Sequence, residues 1–144
     1  DVDFPESAGA IIETIEFIPY MSAYQNLADI AAMRGNLSKT QIKEVLEMVG
    51  LGNVGRKHVS KFSMGMRQRL AIAQAVMESP KILILDEPMN GMDEKGVEEM
   101  RRLILARKAA GTTIILSSHN IEDIRILCDQ VYRIDAGVVM REVE

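Results

Sequence analysis

The sequence predicts an α/β fold, a parallel sheet interrupted by an all-helical insertion, on three observations. Two short continuous apolar runs, at Ile82 to Leu85 and Thr113 to Leu116, have the length and β-branched content of buried strands. A helical pattern over Asp93 to Ala110 joins them, and strand, helix, strand implies parallel pairing through a crossover. Between an earlier apolar run at Ala10, Ile11 and Ile12 and the run at Ile82, residues 21 to 79 carry only helix-period patterns.

The first strand runs from Gly9 to Glu13 and leads into a loop closed by Pro19. A helix follows from Ala23, with Leu27, Ile30, Ala31 and Arg34 at helical spacing and Gly35 as its stop. Ser38 starts a second helix, whose Ile42, Val45, Leu46 and Val49 make one face before Gly50 and Gly52 break the chain. Ser63 stands at an N-cap position ahead of a long amphipathic segment with Leu70, Ala73, Val76 and Met77 facing inward until Pro80. Beyond the second run, Ile121 to Asp129 reads as helix and Val131 to Ile134 as strand, turning at Gly137 into a last extended piece. The chain thus divides into a strand and loop of the core over residues 1–20, a helical subdomain over 21–79, and the rest of the core over 80–144.

Composition narrows the function classes. At 144 residues the chain has the size of one domain, and 47% hydrophobic with 26% charged residues is ordinary for a globular protein. The net charge of −4, from 21 acidic against 17 basic side chains, supplies no positive field for non-specific binding of nucleic acid. No stretch reaches the roughly 18 to 20 apolar residues of a membrane span, and the acidic first residues lack a signal peptide's pattern. Cys128 is the single cysteine and reads as a small buried hydrophobe in a reducing compartment, so a cytoplasmic location with an indirect membrane link is expected. Ten methionines against three phenylalanines and no tryptophan point to a core partly filled by flexible side chains, for which gap-filling is the ordinary explanation.

The chemistry concentrates at strand ends. The stretch Ile82-Leu83-Ile84-Leu85-Asp86-Glu87-Pro88 delivers two adjacent carboxylates to the carboxyl edge of a sheet, where such folds bind ligands. On an extended chain neighbouring side chains point apart, so Asp86 can hold a Mg²⁺ shell while Glu87 polarises a water for in-line attack on a phosphoryl group. A strand ending in a charged turn would explain that stretch equally well by itself. The run Ile114-Ile115-Leu116-Ser117-Ser118-His119 tips the balance by setting a histidine at the same edge. Ser63 and Gly65 open a helix whose free N–H groups attract anions, and a glycine in the first turn, costing around 1 kcal/mol, is explained by close approach to a ligand. His58, in a polar turn with Arg56 and Lys57, and the charge run Glu94 to Arg102, with Glu98 and Arg102 at i,i+4 spacing, read as solvated surface.

Together these stretches resemble the ATP-binding-cassette (ABC) ATPase family over nearly the whole chain. Phe62 to Met66 resembles its signature, Ile82 to Glu87 its Walker B strand, His119 its switch histidine and Asn90-Gly91-Met92-Asp93 its D-loop. Glu13, followed by Pro19, Ser22 and Asn26, resembles the segment beginning at its Q-loop. The resemblance implies a P-loop NTPase (RecA-like) parallel sheet, with ATP and Mg²⁺ as cofactors. It implies catalytic roles for Glu87 and His119, nucleotide contacts from Ser63, Met64, Gly65, Met66 and Asp93, and metal binding by Asp86 and Glu13. Glu13 stands where glutamine is usual, and Met64 and Met66 depart from the common glycine and glutamine. The run Gly65-Met66-Arg67-Gln68-Arg69-Leu70 is similar to the branch of exporters that secretes or confers resistance to peptide antibiotics, such as bacitracin and lantibiotics.

One family element is missing: the sequence contains no Gly-x-x-x-x-Gly-Lys-Ser/Thr pattern, and none of its ten glycines precedes a lysine. The resemblance therefore implies that the chain starts part-way through a longer protein and is inactive by itself. Its sheet is expected to be incomplete, lacking a central strand beside those near Val131 and Thr113, with self-association or a displaced C-terminal strand as the consequence. The implied partners are a second ATPase subunit in a head-to-tail dimer, whose site Ser63 and Gly65 complete, and transmembrane permease subunits at the inner face of the membrane. Two other readings are a soluble ABC ATPase of DNA repair or translation, opposed by the acidic charge, and a non-catalytic dimerisation or regulatory module, opposed by the intact Asp86, Glu87 and His119.

Overall fold

A computed structural model describes residues 7–11, 16–35 and 37–142; Glu13, expected at a metal, lies outside them. The first strand, β1 (Ala8–Ile11), pairs in parallel with β2 (Ile82–Asp86), and β2 pairs in parallel with β3 (Thr113–Ser117), so β2 is central. Register sets the two faces of this sheet. Gly9, Leu83 and Ile114 align across one face and Ala10, Ile84 and Ile115 across the other. Leu83 and Leu85 are fully buried, whereas Ile82 and Ile84 are half-buried and Ile115 is 58% exposed. The expectation of two fully buried strands is therefore corrected: β2 is a core strand covered well on one face, and β3, with a neighbour on one side only among the described residues, is half open.

The helical stretch sits between β1 and β2. Helix α1 (Ala23–Arg34) and helix α2 (Lys39–Met48) each begin with a capping box, in which Ser22 or Ser38 accepts from the glutamine amide three residues on and that glutamine side chain accepts from the serine amide. The reciprocal bonds satisfy N–H groups that a helix start otherwise leaves open. A short 3-10 turn over Val59–Lys61 leads to helix α3 (Met64–Val76), capped by the Ser63 hydroxyl on the Met66 amide. Its Leu70, Ala73, Val76 and the following Met77 are buried, as the periodicity predicts. Helix α3 lies so close to β1 that a Cβ on Gly9 would stand 2.0 Å from the Ala75 carbonyl oxygen. Only glycine fits this crossing.

Arg69 ties this stretch to helix α4 (Glu94–Ala109): its guanidinium donates to the Val49 carbonyl and to Glu99 at 2.8 and 2.7 Å. Lys95 is the i,i+4 partner of Glu99 at 4.0 Å, and Arg102 turns to the Glu98 carbonyl oxygen, not its carboxylate. Helix α5 (Ile121–Leu127) packs on α4 and is shorter than the sequence pattern suggested, because Cys128 already leaves helical geometry. Cys128 is half-buried, not fully buried. The last two strands, β4 (Val131–Asp135) and β5 (Val138–Glu142), pair antiparallel as a separate hairpin. The parallel sheet expected from alternation thus ends at β3, and a two-residue turn at Ala136 and Gly137, both at positive φ, closes β4 on β5 locally.

Candidate active site

Parallel pairing of β2 with β3 aligns Asp86 with Ser117, so their strand ends form one rim. The Ser117 hydroxyl donates to the Asp86 carboxylate there. The next residue departs from the strand. Glu87 was expected to point away from Asp86 along an extended chain, but its φ is +46°, in the left-handed region. Its carboxylate is set apart from that of Asp86 by a turn, and the backbone bonds that hold the turn are explicit. Glu87 N–H donates to the Ser117 carbonyl at 3.0 Å, and the Asn90 N–H donates to the Glu87 carbonyl at 3.1 Å. The Gln68 side chain, from α3, donates to that same carbonyl at 3.5 Å. A left-handed non-glycine residue costs about 1 to 3 kcal/mol, and it persists where surrounding bonds over-determine it, often at functional sites.

The two predicted catalytic residues meet. The His119 backbone N–H donates to Glu87 Oε1 at 2.8 Å, and its Nε2 lies 3.4 Å from the same oxygen. The imidazole is fully in solvent and the Glu87 side chain about one-third exposed, so the pair faces outward from the rim. Asp93 accepts from the Gly96 amide at 2.9 Å as the N-cap of α4, and Asp86 is exposed.

Ser63 and Met64 are exposed, and Gly65 and Met66 are half-buried. Gly65 has a close neighbour within the chain itself. A Cβ there would come within 3.2 Å of the Gly91 carbonyl oxygen, and a Cβ on Gly91 would come within 2.3 Å of the Met64 sulfur. The close approach that the glycine allows is thus between the start of α3 and the 87–92 turn of the same chain.

Among the described residues no three His, Cys, Asp or Glu side chains gather as a ready-made metal cage. Mg²⁺ keeps several waters and takes one or two carboxylates together with phosphate oxygens, so it needs no such cage. The exposed Asp86 carboxylate beside a hydroxyl offers such a partial shell.

Three residues near the rim were not singled out from sequence: Ser117, which orients Asp86, and Ser118 and Asp123, which bond to each other beside His119 at 3.2 Å. Asp123 is 3% exposed and holds Arg101 of α4. The available signal was an acidic residue one helical turn after His119 with a basic residue on the preceding helix.

Comparison with known proteins follows this geometry. A model of the ABC transporter family matches residues 3–90. The ABC transporter ATP-binding protein YybJ of Bacillus subtilis is 44% identical over 137 residues, covering 95% of this chain and 63% of the relative. The lantibiotic transport ATP-binding protein SrtF of Streptococcus pyogenes is 42% identical over 136 residues, covering 94% and 59%. The bacitracin transport ATP-binding protein BcrA of Bacillus licheniformis is 45% identical over 136 residues, covering 94% and 44%. The chain therefore spans 44% to 63% of the length of these relatives. A solved dimeric cassette of a bacterial ABC transporter shares the fold with a TM-score of 0.81 at 23% identity, covering 94% of this chain and 62% of that one.

Proposed function

The chain belongs to the ABC transporter family, and from that membership we propose that it is the helical and catalytic part of an ATPase subunit that couples ATP hydrolysis to export of a peptide antibiotic or drug. The bacitracin and lantibiotic transport names of its relatives support this cargo class. The observation that carries the chemistry is the shared rim, where the His119 N–H fixes one oxygen of the Glu87 carboxylate.

In this reading Glu87 takes a proton from a water as the water oxygen attacks the γ-phosphorus. The bond from that phosphorus to its bridging oxygen breaks, giving ADP and inorganic phosphate. His119 stands beside Glu87 to orient the terminal phosphate. Asp86 would hold Mg²⁺, which when bound offsets charge on the phosphate oxygens. Ser63 to Met66, at the N-terminus of α3, and Asp93 would contact the nucleotide of a partner subunit across a head-to-tail dimer, with permease subunits linking the pair to the membrane. No described helix is long and apolar enough to cross a membrane. Residues 1–20 and 80–144 would belong to the RecA-like core and 21–79 to the helical subdomain.

The chain has no phosphate-cradling glycine loop with its lysine, so in isolation Glu87 and Asp86 have no anchored phosphate to act on. ATP turnover by the purified 144-residue chain should equal the buffer blank. Fusing the segments of the Bacillus subtilis relative that the chain does not cover should restore turnover, and Glu87→Gln should then lower kcat by about 100-fold or more. Turnover by the chain alone that disappears in Glu87→Gln contradicts the first statement, and a fusion unaffected by Glu87→Gln contradicts the assignment. The chain alone should also self-associate through the free edge of β3, where Ile115 is exposed, giving a mass above 16.0 kDa in light scattering.

A further inference from the structure

We propose that Asp123 is a positioning residue for the Glu87 carboxylate, acting through Ser118 and the His119 peptide, with Arg101 as its anchor. The proposal rests on the reading of Glu87 and His119 as one site. Arg101 is bound twice by Asp123 Oδ1, from Nε at 2.8 Å and Nη2 at 2.6 Å. Both partners are largely withdrawn from solvent, with side-chain exposures of 14% and 5%. The hydrogen bond from Asp123 pushes the Arg101 guanidinium above its ordinary range, burial working against it, and the neighbouring Glu122 carboxylate adds in the same direction. A buried ion pair of this kind does more to fix geometry than to add stability, since desolvation offsets its attraction.

What it fixes is the turn at the end of β3. The second oxygen of Asp123 accepts the Ser118 hydroxyl at 3.2 Å. With its proton committed there, that hydroxyl keeps its lone pairs for the Asn120 N–H, which donates to it at 3.0 Å. Asn120 in turn caps α5 by accepting from the Glu122 amide at 2.9 Å. The residues on both sides of His119 are therefore tied to Arg101 of α4, chiefly through the buried Asp123, with the exposed Glu122 carboxylate 3.4 Å from Arg101 Nη2 as a longer second link. The His119 N–H lies between them, and it is this donor that reaches Glu87 Oε1 at 2.8 Å. Ser118 is the hydrogen-bonded link between this turn and the buried Asp123, so the direction of the Glu87 carboxylate is set through a residue that never touches it.

Asp123→Ala would leave the Arg101 charge only its longer contact with the exposed Glu122 and is expected to unfold the region, so Ser118 is the informative position. Amide hydrogen exchange of His119 is measured in the 144-residue chain, with Leu85 of β2 and Leu103 of α4 as references. Ser118→Ala should speed exchange at His119 by about tenfold while both references stay within about twofold, and Ser118→Thr, which keeps the hydroxyl, should restore protection. Unchanged exchange at His119 overturns the proposal, as does equal acceleration at Leu85 and Leu103, which marks a merely structural role. In the fusion with the Bacillus subtilis relative, Ser118→Ala should lower kcat and leave the KM for ATP unchanged. If exchange responds but turnover is insensitive to both Ser118→Ala and Glu87→Gln, the positioning network stands and the ATPase reading falls.

Discussion

The helical stretch and the back of the sheet are built to different standards of closure. From Ser22 to Met77 the helices begin with serine caps and bury Leu27, Leu70 and Val76 completely. From Thr113 to Glu142 the strands are regular but open, with Ile115 58%, Ile134 72% and Val139 62% exposed. Local sequence suffices to make a strand or a hairpin, whereas burying one needs a second layer or a neighbouring strand. The rim that carries Asp86, Glu87 and His119 sits on the boundary between the two regimes. Its β2 side and the turn behind it are pinned to the closed part by Gln68, and its β3 side depends on the ties to α4.

Substitutions can break or sharpen this contrast. Leu83→Ala, in the fully buried centre of β2, should cost about 3 to 4 kcal/mol in chemical denaturation. Gly9→Ala should cost about 2 to 3 kcal/mol, since its methyl group meets helix backbone and not a yielding side chain. Ser63→Ala, which removes the cap of α3, should cost about 1 kcal/mol. Ile115→Thr on the open strand should stay within about 0.5 kcal/mol and reduce self-association seen by light scattering. A loss at Ile115 as large as at Leu83 would mean that β3 is covered after all.

The smallest effect concerns Cys128. Burial pushes its thiol up, Lys108 pulls it back in part, and Asp129 adds to the rise. The folded chain therefore holds this proton longer than the unfolded chain. The associated stability is full below about pH 8.5, the ordinary thiol value, and is lost as pH rises through the folded value. Alkylation by iodoacetamide at pH 8 should be several-fold slower in the folded chain than in denaturant. Equal rates would contradict the burial of Cys128.

Much of this contrast was legible in the residues. Helical periods, serine caps and the apolar runs announced the elements, and the carboxylates and histidine at strand ends announced the rim, because these are local patterns. What escaped depends on contacts distant in sequence. The left-handed turn at Glu87 is held by β3 and α3, the crowding at Gly65 comes from Gly91, and Asp123 is paired with Arg101. The strand at Val131, its turn at Gly137 and the extended piece after it were legible, whereas their separation from the parallel sheet was not a local pattern: the local turn closes β4 on β5.

The central claim is that Glu87 and His119 act as one unit, and a double-mutant cycle on ATP turnover of the fusion with the Bacillus subtilis relative tests it most directly. Glu87→Gln and His119→Ala should each lower kcat by about 100-fold, and the double variant should fall little further, as groups sharing one function do. Losses that multiply, or a His119→Ala variant with unaltered turnover, would contradict it.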